Sequence, residues 1–164
     1  MRILLTGAFG NIGAHTLPQL LADGHTVRCF DVVSATNRRL AARWRDQVEV
    51  VWGDLRYPAD VAAAVQGQDL VIHLAFVVPR LSVTGVNSEE RPDWARAVNV
   101  GGTMNLLSAM QACPQPPRLI FASSLHVYGR DLDEVNVFDQ VSGKVSPMRI
   151  KYYSPVCGEQ PFVI

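Results

Sequence analysis

Gly7, Gly10 and Gly13 recur at every third position in TGAFGNIG, directly after the short apolar run Ile3-Leu4-Leu5. That spacing suits one kind of chemistry. Backbone N–H groups at the start of a helix can hold a phosphate only where no Cβ blocks the approach. In such a turn Gly7 permits the tight reversal, Gly10 lets the backbone come close to a pyrophosphate, and Gly13 lets the helix pack against the strand. An ordinary strand-to-helix turn also collects glycine and is the alternative. The context favours the phosphate: a strand before, an amphipathic helix after, and Asp31 lying 24 residues beyond Gly7. An acid at that distance is placed to accept hydrogen bonds from the ribose hydroxyls of an adenosine. Its charge repels a 2′-phosphate, so NAD is expected before NADP. Arg38 and Arg39 keep NADP open, since Arg near that strand end can pair with the phosphate. The plainer role for Asp31 is that of a turn carboxylate.

The other reactive residue types are less organised. Cys29, Cys113 and Cys157 are widely spaced, with no C-x-x-C pair and no metal-ligand spacing. No metal site is expected, and Cys29, inside an apolar strand, reads as an inert core thiol. His73 reads as a strand-end structural residue, His15 as a helix-surface residue and His126 as a loop histidine.

The elements that must position these residues follow from the pattern. At 164 residues, 48% apolar and 18% charged, the chain is one globular domain rather than a disordered segment. Formal net charge is zero, so nothing steers it to nucleic acid or an anionic membrane. Thirteen of its 15 basic residues are Arg, a bias of composition that also suits phosphate recognition. No charged leader and no run of about 18 apolar residues is present, which leaves a soluble cytoplasmic protein as the default.

Residues 11–22 read as a helix with Ile12, Leu17, Leu20 and Leu21 on its apolar face, irregular at Pro18 and closed by Gly24. Residues 27–30 form a second strand ending on Asp31. Residues 35–46 form a second helix whose arginines make a solvated face. A third strand spans 48–52, a short helix 58–65, a fourth strand 69–73, a long helix 92–112 and a fifth strand 119–122. Residues 76–91 and 130–151 read as loops. Strands and helices alternating at this spacing predict right-handed β-α-β units, hence a doubly wound parallel sheet of about five strands in order 3-2-1-4-5.

Five segments in the right order resemble the extended short-chain dehydrogenase/reductases, specifically the NAD-dependent epimerase/dehydratase group. Residues 6–13, TGAFGNIG, are similar to its T-G-x-x-G-x-x-G cofactor signature. Gly53-Asp54-Leu55 is similar to its G-D-[LIV], and His73-Leu74-Ala75 to its H-x-A. Residues 99–105, NVGGTMN, match N-V-x-G-T-x-N, and residues 121–129, FASSLHVYG, match F-x-S-S-x-x-V-Y-G. Together they span residues 1–129, about four-fifths of the chain.

The resemblance implies cofactor contacts from Gly7, Phe9, Gly10, Asn11, Ile12, Gly13, Asp31, Asp54, Leu55, Leu74, Ala75 and Asn99. Asp54 and Leu55 would lie near the adenine, and Leu74 and Ala75 along the dinucleotide. It implies that Asn99 organises active-site hydrogen bonds and that Ser124 orients the substrate oxygen, with Ser123 as the neighbouring candidate. Tyr128 would be structural. It further implies a small-molecule substrate, a sugar-like alcohol or ketone such as a nucleotide sugar, with a homodimer as an open option.

Two departures qualify it. The family's Tyr-x-x-x-Lys works because a tyrosine of pKa about 10 must drop by ~3 units, roughly 4 kcal/mol, which a lysine ammonium helps supply. Tyr153, 29 residues after Ser124, is the matching acid–base, but Cys157 stands where Lys would be. Tyr152 would put Val156 there instead. The chain is also about half the family's usual length or less, so the substrate lobe is expected to be missing, with 129–164 irregular and opening the catalytic helix. Two functions therefore compete: hydride transfer between nicotinamide and a sugar-like alcohol or ketone, and a dinucleotide-binding module without turnover.

Overall fold

The computed structural model of the chain describes residues 1–77 and 91–122 in full, and the backbone of 135–139 and 144–148. Strand β1 (Arg2–Thr6) is the centre of the fold. Its side chains alternate between two cores. Leu4 enters one with Phe30, Leu55, Val61, Val65, Val71, Leu106 and Met110, while Ile3 and Leu5 enter the other with Leu17, Val27, Cys29 and Ile72. A strand apolar on both faces needs helices on both, and the chain supplies them.

Helix α1 (Asn11–Ala22) covers one face through Leu17, which is fully buried. It ends in a Schellman turn: Gly24 takes φ 76°, and the N–H groups of Gly24 and His25 close onto the carbonyls of Leu21 and Leu20. Strand β2 (Thr26–Asp31) returns beside β1. Helix α2 (Ala35–Ala41) tightens into a 3₁₀ turn, Ala42–Trp44, before β3 (Glu49–Trp52). It is shorter than the expected 35–46, because the chain must reverse into β3 within a few residues. Its Arg38, Arg39, Arg43 and Arg45 are exposed, as the pattern predicts.

Helix α3 (Pro58–Val65) and strand β4 (Leu70–His73) follow, then α4 (Pro92–Arg96), a π-helical turn at Ala97–Gly101, α5 (Gly102–Gln111) and β5 (Arg118–Phe121). All five strands are parallel, in order 3-2-1-4-5. The chain's direction of growth reverses between β1 and β4, which opens a crevice at their carboxyl ends.

Three details differ from expectation. Ile12 is 61% exposed and stands outside the buried face of α1. It lies in the first turn, beyond the edge of the sheet that the later leucines cover. The long helix is not uniform, because the wide turn at 97–101 interrupts it. The segment 130–151, expected as a loop, contains an antiparallel pair, β6 (Val135–Asp139) and β7 (Lys144–Met148), paired from Val135↔Met148 to Asp139↔Lys144. Alternation at Val135 and Val137 was the available signal. Pro147, tolerable where a two-stranded ladder leaves one edge unpaired, obscured it. The chain divides into two compact units, Met1–Ala122 and Ser123–Ile164. Among the described residues no helix is long and apolar enough to cross a membrane.

The two glycines at the π turn differ in what they permit. A Cβ on Gly102 would lie 2.6 Å from the Cβ of Leu55, whereas one on Gly101 meets nothing within 4 Å. Gly102→Ala is therefore expected to lower stability by about 1–3 kcal/mol through overpacking. Gly101→Ala is expected to raise it by ~0.5–1 kcal/mol through helix propensity. Urea midpoints at unchanged slope measure both, and equal effects at the two positions would refute the packing assignment.

Candidate functional site

Thr6, the last residue of β1, stands at the crevice with its side chain wholly buried. Its hydroxyl accepts the N–H groups of Leu74 and Ala75, each at 3.2 Å, and lies 2.7 Å from Nδ1 of His73. With two donors already arriving, the Thr6 proton goes to His73. On the far side of the ring, Nε2 lies 3.1 Å from the Thr103 hydroxyl, which itself donates to the Asn99 carbonyl at 2.6 Å. His73 must therefore carry its proton on Nε2. The network assigns one tautomer and leaves no place for a second proton. Burial reinforces this and pushes the His73 pKa down to about 4. His73 is a structural hub, as its position in the sequence implies.

The turn above Thr6 is packed tightly. Gly7 has φ 65°, and a Cβ there would sit 2.8 Å from Ala75 Cα. A Cβ on Gly13 would run into the Gly7 carbonyl. These are the tight turn and the close packing that the glycine spacing predicts. Gly10 caps α1 without a side chain, and the first turn holds no acidic residue. The N–H groups at this helix start are thus left without a side-chain cap, and they carry the positive end of the helix dipole, an arrangement complementary to a phosphate.

Asp31 closes the turn from β2. Its Oδ2 accepts the Phe9 N–H at 2.8 Å, and its Oδ1 accepts the Val32 N–H at 2.8 Å and the Asn37 amide at 3.1 Å. The residue is 8% exposed. Burial raises its pKa, and the N–H groups of Phe9 and Val32 partly offset that. Phe9 packs its ring on Trp52 at 5.5 Å. Cys29, two residues upstream, is pushed up to about 12 by burial and then by the Asp31 charge, which leaves an inert thiol.

Beyond Asp31 a cavity of about 320 Å³ is lined by Val32, Val33, Trp52, Gly53, Asp54, Tyr57 and Asp60. Asp54 lines it but is also paired with Arg56, Nη2 to Oδ2 at 2.5 Å. Burial raises the Asp54 pKa, but the hydrogen bonds and charge of Arg56 outweigh it and hold the group below its ordinary value. Arg56 lies against the rings of Tyr57 and Trp94. Leu55 is a core residue, 5% exposed, with its side chain beneath Gly102 and its carbonyl accepting from Asn105. Its side chain does not line the cavity.

Asn99 sits in the π turn, where the widened helix directs its amide to Val77. Oδ1 accepts the Val77 N–H at 2.7 Å, and Nδ2 donates to the Val77 carbonyl at 2.9 Å. It thereby anchors the chain leaving β4. Ser123, Ser124, His126, Tyr128, Tyr152, Tyr153 and Cys157 lie outside the described residues. Sequence reasoning missed Thr6, Thr103, Asn37 and Arg56. Thr6 and Thr103 each had a local signal, Thr6 as the first residue of the glycine signature and Thr103 inside the segment 99–105, one helical turn after Asn99. Among the described residues no cluster of three His, Cys, Asp or Glu could hold a metal ion.

The chain matches the NAD dependent epimerase/dehydratase family over residues 3–152. It is 39% identical over 123 residues to a 3 beta-hydroxysteroid dehydrogenase/Delta 5-->4-isomerase of Mycobacterium tuberculosis, covering 75% of this chain but 31% of that protein. It is 34% identical over 135 residues to a UDP-glucose 4-epimerase from Klebsiella pneumoniae, covering 79% of this chain and 93% of that sequence. Among solved structures, the UDP-glucose-4-epimerase of Stenotrophomonas maltophila with bound NAD and formylated UDP-arabinopyranose superposes with a TM-score of 0.65 at 31% identity, over 80% of this chain and 39% of that one.

The neutral His73 makes stability depend on pH. An unfolded histidine titrates near 6.5, so below that the unfolded state binds a proton the folded state refuses. The contribution is complete above pH 6.5 and is lost as pH falls toward about 4. Between pH 7.5 and 5 the wild type should lose about 2 kcal/mol more stability than His73→Gln, which cannot titrate. Denaturant unfolding of both at the two pH values measures this, and equal losses would mean that His73 is readily protonated in the fold.

Proposed function

Because the chain belongs to the NAD-dependent epimerase/dehydratase family of extended short-chain dehydrogenases/reductases, we propose that residues 1–122 form its dinucleotide-binding half. The observation that carries this is the Asp31 carboxylate, bound to the glycine turn through Phe9 at the crevice mouth. The donor set suits the ligand. Gly7 and Gly13 form a cradle that a Cβ would fill, and the uncapped start of α1 suits the pyrophosphate. Asp31 suits an unmodified ribose, which favours NAD over NADP. The adjoining cavity suits the adenine, with Asp54 at its wall.

NAD, when bound, supplies the hydride acceptor or donor. Ser124 would hold the substrate oxygen. Tyr153 would be the group that takes up or returns the proton of the substrate hydroxyl. Leu74 and Ala75, fixed by the Thr6 hydroxyl, form the floor along the dinucleotide. The epimerase relatives favour a nucleotide sugar as substrate. Cys157 favours a second reading, a dinucleotide-binding module without turnover, because a neutral thiol does not lower the Tyr153 pKa as an ammonium does.

Calorimetry of NAD and NADP with the purified chain tests the first step. NAD should bind more tightly than NADP, and Asp31→Ala should remove most of that preference, a loss of about 1–3 kcal/mol for a charged hydrogen-bond acceptor. Unchanged preference in Asp31→Ala would defeat the assignment. Recovery of hydride transfer by Cys157→Lys would favour the enzyme, whereas binding with no turnover in either form would favour the module.

A further inference from the structure

Asn37 is fully buried in the first turn of α2, among residues that otherwise form its solvated arginine face. Its backbone N–H is held by the Ser34 hydroxyl at 3.0 Å, so its place in the turn is fixed. Its Nδ2 donates to Asp31 Oδ1 at 3.1 Å and to the Val32 carbonyl at 2.9 Å. Its Oδ1 is buried and has no hydrogen-bond partner among the described residues. Turning the amide over would set that oxygen against the Asp31 carboxylate and the Val32 carbonyl, both acceptors, so the orientation is forced. A buried acceptor without a partner is unfavourable. An apolar side chain of similar volume would avoid that cost, so the amide is explained by what its nitrogen holds.

What it holds is one oxygen of Asp31. Oδ1 has both lone-pair directions occupied, by Val32 and Asn37. Oδ2 has one occupied, by Phe9 of the glycine turn. The carboxylate therefore keeps one vacant acceptor direction, on the oxygen that also holds the turn. We propose that Asn37 is a positioning residue that locks the Asp31 carboxylate in this orientation, so that the vacant direction receives one hydroxyl of the adenosine ribose and the site discriminates against a 2′-phosphate. This rests on the dinucleotide-binding reading. Without the amide, Oδ1 regains a free lone pair, the carboxylate can turn about its own axis, and the ribose loses a pre-set acceptor.

The test is calorimetry of NAD and NADP with the purified chain as wild type, Asn37→Leu, Asp31→Ala and the double variant. Asn37→Leu should weaken NAD about tenfold and NADP less than about twofold, narrowing the preference. In the Asp31→Ala background it should change neither affinity, because it acts through Asp31. Asn37→Ser, too short to reach Oδ1, should narrow the preference in the same way and serves if the leucine variant does not fold. A wild-type preference for NAD that survives Asn37→Leu and Asn37→Ser, or an equal loss of both ligands, would overturn the positioning role alone. A wild type that binds neither dinucleotide would overturn the dinucleotide-binding reading and this proposal with it.

Discussion

The hydroxyl of Thr6 is the smallest group on which the site depends. It is one atom pair at the end of the central strand, and it serves three neighbours: the N–H groups of Leu74 and Ala75 and the ring of His73. The backbone ladder between β1 and β4 makes a bond here, from the Leu74 N–H to the Thr6 carbonyl at 3.3 Å, where the sheet changes its direction of growth. The hydroxyl shares that Leu74 N–H and takes the next one, of Ala75, beyond the ladder. It thereby holds Ala75 against Gly7, and the resulting clearance explains why residue 7 has no side chain. From His73 the same chain runs through Thr103 to the carbonyl of Asn99, whose amide anchors Val77. Three buried side chains, Thr6 of β1, His73 of β4 and Thr103 of α5, form one mutually satisfied network that ends on the Asn99 carbonyl of the π turn. Such a network is stiff because each partner's proton is assigned.

Asp31 is held differently. Its bonds to Phe9, Val32 and Asn37 are all donations from the protein, and burial opposes the charge they favour. The fold therefore spends stability here twice, on a buried carboxylate and on the Asn37 oxygen that has no partner among the described residues. Costs of this kind concentrate at sites kept for binding rather than for folding. Tied to the glycine turn and to α2, the carboxylate links two elements with no backbone ladder between them. Loss of Asp31 thus acts on the shape of the turn as well as on the ribose.

The sheet was readable because its signal is local. Near-continuous apolar strands alternating with helices leave few topologies, and a glycine triplet after the first strand marks the switch. The bounds of α1 and the glycine at its end followed from the same rules. What escaped was made by distant partners. Thr6 and His73 are 67 positions apart, and neither residue type alone implies that a shared proton sets the tautomer. Asn37 stands beside two arginines in a helix whose other polar residues face water, and only the three-dimensional turn reveals that it points inward. Leu55 carried a family motif yet serves the core, because the close approach of Gly102 draws its side chain under α5. The pair β6–β7 was hidden by a proline that an unpaired edge can accept.

These two modes of support bear on whether binding and turnover can part company. Every residue argued to hold the dinucleotide lies in Met1–Ala122, and each is fixed by partners within that unit. Its competence as a cradle thus draws on hydrogen bonds it already contains. Turnover asks for something else: a tyrosine whose proton leaves near neutrality, which takes a nearby positive charge. Within Met1–Ala122 His73 stays neutral and the Asp31 carboxylate is an acceptor, so neither supplies that charge, and a neutral thiol such as that of Cys157 supplies none. On the proposed reading an uncharged side chain at position 157 bears on the chemistry alone, while the cradle rests on bonds inside Met1–Ala122.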